Sequence, residues 1–208
     1  MQAARGASLN SSADVSPRDG AEPRAPRYRL IFALVFLTAY AIDVVSKTVA
    51  VDALAEGDIE LAGEWFVLHL VRNPGAAFST ATSLTPLLSA LAIVACCVVV
   101  YVARRLGSVA WAWSLGLLLA GITGNLTDRI FREPGPMRGH VIDLFMVPHW
   151  PVFNVADICI NVGAALALLT TFRGIAVDGS RVVPSRPEPK GPTGPTGPAE
   201  PTTEGPAS

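Results

Sequence analysis

Asp143 and Asp157 are two acidic residues that flank the same end of an apolar segment. Asp143 lies in the apolar, strand-like stretch at residues 140–145, and Asp157 lies near the start of the apolar segment at residues 153–172. Two carboxyl groups within hydrogen-bond distance in a poorly solvated site do not both ionise easily, so one keeps a proton near neutral pH. The ionised member can then activate a water molecule, while the protonated member donates to a peptide carbonyl and later to the leaving nitrogen. This is the chemistry of an aspartic protease.

Further ionisable side chains lie inside apolar segments, where each charge costs about 2.5–3.5 kcal/mol on insertion scales. Asp43 and Lys47 are four residues apart, a spacing that allows an ion pair along one helical turn. Asn125, Asp128 and Arg129 share one helix face by their spacing of three and four residues. Each set is compatible with a neutralised group that tolerates burial and equally with a group that serves an active site.

A third polar set opens the apolar segment at residues 153–172. Asn154, Asp157 and Asn161 form a stripe along one side of the helix that this segment predicts. Such a stripe must face protein or water rather than lipid. Asn154 is also well placed to cap the helix, and the cap and site roles are compatible.

Four apolar segments supply the elements that position these residues. They cover residues 30–51, 84–102, 109–126 and 153–172, each near the roughly 20 residues that a helix needs to cross a bilayer. Half of the 208 residues are apolar and only 16% are charged. The sequence therefore predicts an all-α membrane protein with four transmembrane helices.

The arginines predict how these helices are oriented. They cluster before the first segment and after the second and fourth segments: Arg5, Arg18, Arg24, Arg27, Arg29, Arg104, Arg105, Arg173 and Arg181. The positive-inside tendency then places both termini in the cytoplasm and the loops at residues 52–83 and 129–152 outside. Residues 64–71 are rich in β-forming side chains and are followed by the turn sequence Asn73-Pro74-Gly75, so we expect a small extracytoplasmic β-sheet.

The composition also divides the chain into three parts. Residues 1–28 predict a disordered cytoplasmic tail, residues 29–173 the four-span membrane domain, and residues 174–208 a disordered, Pro/Gly-rich cytoplasmic tail. The scattered arginines form no basic field that would hold nucleic acid. Three cysteines inside apolar runs predict neither a disulfide framework nor a zinc site.

Residue types and spacing alone leave alternatives to proteolysis open. A small proton-coupled carrier would also bury groups such as Asp43, Lys47, Asp128 and Arg129. A metal-dependent site could recruit His140 beside Asp143. A membrane scaffold that binds a partner through its outer loops would need neither aspartate.

The order of five sequence blocks narrows these alternatives, because together the blocks resemble the prolipoprotein (type II) signal peptidases. The blocks are the Asp43 and Lys47 pair, Arg72-Asn73-Pro74-Gly75-Ala76-Ala77-Phe78-Ser79, Gly124-Asn125-Leu126-Thr127-Asp128-Arg129, Gly139-His140-Val141-Ile142-Asp143 and Phe153-Asn154-Val155-Ala156-Asp157. The resemblance covers roughly residues 30–172.

This resemblance implies a membrane aspartic endopeptidase of the bacterial cell membrane, with its site at the extracytoplasmic face. Its substrates would be diacylglyceryl-modified prolipoproteins, cleaved on the amino side of the lipidated cysteine. We therefore expect a monomer among membrane lipids, without a cofactor or metal and without nucleic acid as a partner. The implied residues are Asp143 and Asp157 as the catalytic dyad, Asn73, Asn125, Asp128, Arg129 and Asn154 around them, and Asp43 and Lys47 in support.

Overall fold

The chain folds into four long helices and a small antiparallel sheet. The structure is a computed structural model that describes residues 25–75 and 84–181. In chain order the elements are α1 (Ala25–Ala53), β1 (Ile59–Glu60), β2 (Val67–Asn73), α2 (Thr85–Ala103), α3 (Val109–Phe131), β3 (Val141–Met146) and α4 (Val155–Phe172). The predicted four apolar helices and small sheet are confirmed.

The helices have the length and apolarity that a bilayer crossing requires. Many of their large apolar side chains point outward, and Leu37, Leu91 and Leu168 are 57%, 63% and 56% exposed. A protein surrounded by water rarely exposes so much contiguous apolar surface. The outer faces of the bundle are therefore suited to lipid.

The described fold extends beyond the predicted limits of residues 29 and 173. Helix α1 begins at Ala25, and Tyr28 is buried in a cluster that includes Leu106. After α4, residues 175–181 form a turn in which Ile175 pairs with Arg181. The carbonyl oxygen of Val177 in this turn accepts a hydrogen bond of 2.9 Å from Gly107 N–H.

The rest of the two predicted tails, residues 1–24 and 182–208, lies outside the described residues, as do residues 76–79 of the second sequence block.

Helix α3 is the centre of the bundle, because it packs against α1, α2 and α4. Two glycines permit these close contacts. A methyl group on Gly121 would overlap the carbonyl oxygen of Ala156 in α4, and one on Gly124 would overlap the Asp43 carboxylate in α1. Small residues at such positions let helix backbones approach each other closely.

Helix α3 extends beyond its apolar run. The apolar run stops near Leu126, and the helix continues to Phe131, so that Asp128 and Arg129 are helical, as their predicted shared face requires. The last turn is polar and finds partners outside the helix: Asp128 Oδ1 bonds Arg132, and Asp128 Oδ2 accepts the backbone N–H of Ile142 at 3.2 Å. Hydropathy alone could not reveal this stabilisation.

The three strands form one sheet in the order β1-β2-β3, and β2 pairs antiparallel with both neighbours. The predicted strand at residues 64–71 is observed as β2, shifted toward Asn73. At its end Gly75 N–H donates to Asn73 Oδ1 at 2.8 Å. This closes the predicted turn around Pro74, and Gly75 adopts a positive φ of 100°, which favours glycine.

Replacing Gly121 with alanine should destabilise the fold, although alanine normally favours a helix over glycine. The added methyl group would force α3 and α4 apart, and overpacking of this kind costs about 1–3 kcal/mol. Thermal unfolding of the purified protein in detergent measures the loss. Ala164→Val, on the exposed side of α4, is the control and should have little effect. Equal stability of Gly121→Ala and the native protein would contradict the tight helix contact.

Candidate active site

Asp143 is held in the sheet with both of its carboxyl oxygens bound by asparagine amides. In β3 it is only 2% exposed. Asn73 lies opposite Val141 in the neighbouring strand, so the Asn73 and Asp143 side chains are diagonal neighbours on one face of the sheet. Asn73 Nδ2 donates to Asp143 Oδ2 at 2.9 Å, and Asn154 Nδ2 donates to Asp143 Oδ1 at 2.6 Å.

Asp157 is placed by the first turn of α4. Asn154 is the N-cap and forms a capping box with Asp157. Asn154 Oδ1 accepts the Asp157 backbone N–H at 2.9 Å, and Asp157 Oδ2 accepts the Asn154 backbone N–H at 3.2 Å. From α3, Asn125 Nδ2 donates to Asp157 Oδ1 at 3.0 Å. Asn154 therefore caps the helix and also bonds to both aspartates.

The two aspartates line one cavity of about 530 Å³. Asn73 and Asn161 add polar groups to its wall, and the remaining lining residues are Trp150, Pro151, Val152, Phe153, Ile158 and Val162. Two carboxyl groups thus face a space with largely apolar walls. A substrate bound there could meet both groups while little water is present.

The pKa of Asp143 is raised to about 6. Burial is the main cause, because it disfavours the charged form. The hydrogen bonds from Asn73 and Asn154 oppose the rise in pKa, while the nearby charge of Asp157 adds to it. The Asp143 carboxyl group can therefore hold a proton in mildly acidic solution, where an exposed aspartate would be ionised.

A buried ionic cluster lies directly behind the cavity. Lys47 is 1% exposed, and its Nζ lies 2.9 Å from Asp43 Oδ2, 3.0 Å from Asp128 Oδ2 and 2.9 Å from Asn125 Oδ1. The ion pair that the spacing of Asp43 and Lys47 predicted is present, and Asp128 extends it. Asp43 Oδ1 also accepts the backbone N–H of Ala156 at 2.8 Å, which joins α1 to the start of α4.

Arg129 separates from its predicted companions. Asn125 and Asp128 both contact Lys47, whereas the Arg129 guanidinium group approaches the turn at Gly75. Its charge acts on Asp143 as well as on Asp128. The Nη1 atom of Arg129 is buried, and it donates no hydrogen bond to any residue within 25–75 or 84–181.

Sequence reasoning missed two residues of the site region. Arg132 pairs with Asp128, and the spacing of four residues on one helix was a signal that could have identified it. Trp150 lines the cavity from the segment before α4, and no spacing pattern in the sequence indicates its place there. Asn161, which the polar stripe included, lines the cavity and donates to the Asp157 carbonyl oxygen at 2.8 Å.

The metal hypothesis rested on His140 beside Asp143. His140 is not among the residues that line the cavity. Within residues 25–75 and 84–181, no group of three or more His, Cys, Asp or Glu side chains is arranged to hold a metal ion.

Comparison with known proteins gives concordant results. The family model described as signal peptidase (SPase) II matches residues 35–173. A lipoprotein signal peptidase of Mycolicibacterium smegmatis is 44% identical over 165 residues, which cover 78% of this chain and 70% of that protein. One of Rhodococcus jostii is 44% identical over 171 residues, or 81% and 86% of the two chains.

Among solved structures, a bacterial membrane enzyme determined by the in meso method at 1.9 Å resolution has a similar fold. The TM-score is 0.59 at 21% sequence identity, and the match covers 71% of this chain and 93% of the other.

The raised pKa of Asp143 predicts a specific dependence of stability on pH. The folded protein holds this proton up to about pH 6, whereas an unfolded aspartate loses it near its ordinary pKa of about 3.9. The stabilisation from Asp143 is therefore complete below about pH 4 and is lost as the pH rises through about 6. Asparagine cannot ionise, so the stability of the Asp143→Asn variant should lack this dependence on pH.

Unfolding temperatures of the native protein and Asp143→Asn, measured at a series of pH values from about 4 to 7.5, test this. The native protein should lose stability relative to the variant as the pH rises. A difference that does not change with pH would contradict the assignment.

Proposed function

Because the chain belongs to the signal peptidase II family, we propose that it is an aspartic endopeptidase that removes signal peptides from diacylglyceryl-modified bacterial prolipoproteins. Asp143 and Asp157 form the catalytic dyad and cleave on the amino side of the lipidated cysteine. The observation that carries this assignment is the single cavity lined by both carboxyl groups, which Asn154 links by hydrogen bonds.

The dyad works as one unit that holds a single proton. The ionised carboxylate takes a proton from the attacking water, and the protonated carboxyl group donates to the carbonyl oxygen and then to the leaving nitrogen. Asn73, Asn125 and Asn154 donate to the dyad and hold it in position. No step in this sequence requires a cofactor.

The walls of the cavity suit a substrate that comes from the bilayer. A signal peptide is an apolar helix and the diacylglyceryl group is lipid, so both reach the site sideways between helices rather than from water. The exposed Ile158 and Val162 line the cavity from α4, a helix with the length and apolarity to span the membrane. Arg129 supports the site from behind the cavity wall, where its charge acts on both Asp143 and Asp157.

The protein lies in the bacterial cell membrane with both termini in the cytoplasm and the sheet outside. The arginines that follow α2 and α4 support this orientation, since basic residues are enriched on the cytoplasmic side. The membrane peptidase domain comprises residues 29–173 together with the start of α1 and the turn at residues 175–181, and the two terminal segments beyond it are assigned to the cytoplasmic side. The asparagines that donate to the dyad belong to the same chain as the dyad, so the site needs no residue from a second copy, and we propose a monomer that acts on lipoprotein precursors and not on nucleic acid.

The ionic cluster does not favour the carrier hypothesis. Asp43 and Lys47 are both 1% exposed and paired with each other, so the cluster is closed to solvent rather than open to a transported ion. Asp143 and Asp157, in contrast, both face one cavity, as hydrolysis requires.

Replacing Asp143 or Asp157 with asparagine should abolish precursor cleavage, because an amide can act neither as the base nor as the acid. Purified protein in detergent is incubated with a diacylglyceryl-modified prolipoprotein and with its unmodified form, both with a chelator present. The native protein should cleave only the lipidated form. Asp52→Asn, an exposed aspartate outside the cavity, is the control and should remain active. Full activity of both dyad variants would refute the proposal.

Single cysteines introduced after removal of Cys96, Cys97 and Cys159 test the orientation. Both Glu64, next to the sheet, and Ser180, after α4, are exposed. In intact spheroplasts a membrane-impermeant maleimide should label Glu64→Cys, whereas Ser180→Cys should react only after the membrane is permeabilised. The opposite labelling pattern would show that the topology is inverted.

A further inference from the structure

We propose that Lys47 is a positioning residue for the aspartate dyad and acts through the side-chain amide of Asn125. This inference rests on the proposed function and gives the ionic cluster behind the cavity a role in the chemical step. Lys47 is not among the residues that line the cavity, and at 1% exposure it is closed to a substrate. Any effect it has on the reaction must therefore pass through other side chains.

The first step of the argument is the direction of the hydrogen bond between Lys47 and Asn125. A lysine ammonium group has donors and no acceptor. The Asn125 atom that lies 2.9 Å from Nζ must therefore be its oxygen, Oδ1. With Oδ1 directed at Lys47, the Asn125 amino group points the other way and donates to Asp157 Oδ1 at 3.0 Å.

The second step extends this fixed direction to Asp143. Asn125 Oδ1 also accepts a bond of 3.2 Å from Asn154 Nδ2, and the same nitrogen donates to Asp143 Oδ1 at 2.6 Å. Asn125 Oδ1 is thus an acceptor shared by Lys47 and Asn154, and its fixed position directs the other amino hydrogen of Asn154 to Asp143. A bond from a charged donor is shorter and stronger than a bond between neutral groups, so Lys47 polarises the Asn125 amide and strengthens its bond to Asp157.

The third step is the result of removing the ammonium group. Asn125 Oδ1 would keep only the longer bond from Asn154, and the amide could rotate away from Asp157. The two carboxyl groups would remain, but their relative position would be less well fixed. Misplacement of reacting groups by about 1 Å can cost about a hundredfold in rate.

Lys47→Met keeps an unbranched stem of similar length up to Cε and removes the donor group. We expect kcat for a lipidated precursor to fall by roughly ten- to a hundredfold with KM nearly unchanged, since Lys47 does not touch substrate. Lys47→Arg, which is also a donor without an acceptor, should recover part of kcat.

A double-mutant cycle with Asn125→Leu distinguishes positioning from a general structural role. If Lys47 acts through Asn125, Lys47→Met should reduce kcat in the native background and cause little further loss in Asn125→Leu. Ser114→Ala is the matched control, because it removes a buried hydrogen bond of 2.8 Å between α3 and the Gly163 carbonyl of α4. This bond lies about two helical turns beyond Asp157 and includes no group that contacts the dyad. It should lower the unfolding temperature and leave kcat unchanged.

Lys47→Met leaves two acidic groups without their buried partner and could prevent folding. The same comparison is then made in an Asp43→Asn background, where one negative charge is removed together with the positive charge. The asparagine retains an oxygen for the Ala156 N–H, and the effect of Lys47 is the ratio of kcat between Asp43→Asn and Asp43→Asn/Lys47→Met.

An unchanged kcat in the Lys47 variants, or an equal loss with and without Asn125, would overturn the inference. Both outcomes are judged by comparison with the native protein, which must cleave the lipidated precursor. If the native protein lacks that activity, the proposed function is refuted instead.

Discussion

The burial of one ammonium group among three helices is the constraint on which the structure depends. A charge in an apolar bundle is tolerated only when opposite charges and hydrogen-bond acceptors surround it closely. Lys47 obtains these partners from its own helix through Asp43 and from α3 through Asn125 and Asp128. Asp43 in turn binds the first turn of α4 through Ala156. Satisfying this single charge fixes three helices relative to one another.

The packing of α1, α3 and α4 around Lys47 also determines the positions of Asp143 and Asp157. The central helix α3 can approach its neighbours only because Gly121 and Gly124 lack side chains. That approach brings Asn125 within reach of Asp157, while the sheet holds Asp143 from the other side through Asn73. Each aspartate is therefore positioned by elements distant in sequence, and tight packing keeps the two groups at one cavity.

The sequence predicted which residues lie at this site better than it predicted which of their side chains contact each other. Spacing of four residues was sufficient for the Asp43 and Lys47 pair, because a helix places such residues side by side. Spacing from Asn125 also placed Asp128 and Arg129 on one helix face, but the Arg129 guanidinium group approaches Gly75. Asp128 instead binds Lys47, Arg132 and the backbone of β3. The last turn of α3 lies beyond the apolar run and is stabilised by the same contacts of Asp128. Contacts between elements decided where these side chains point, and local spacing does not encode such contacts.

Asn154 restricts which amino acids this protein can accept at the entrance to α4. A helix cap alone would permit serine, threonine or aspartate almost equally well. The same residue must also offer amino hydrogens to Asp143 and Asn125, and none of those three side chains has an amino group to donate. Among these four residues, asparagine therefore has the side chain that can both cap α4 and donate to Asp143 and Asn125. Serine, threonine or aspartate at this position should thus preserve α4 and still leave the Asp143 carboxyl group without one of its two amide donors.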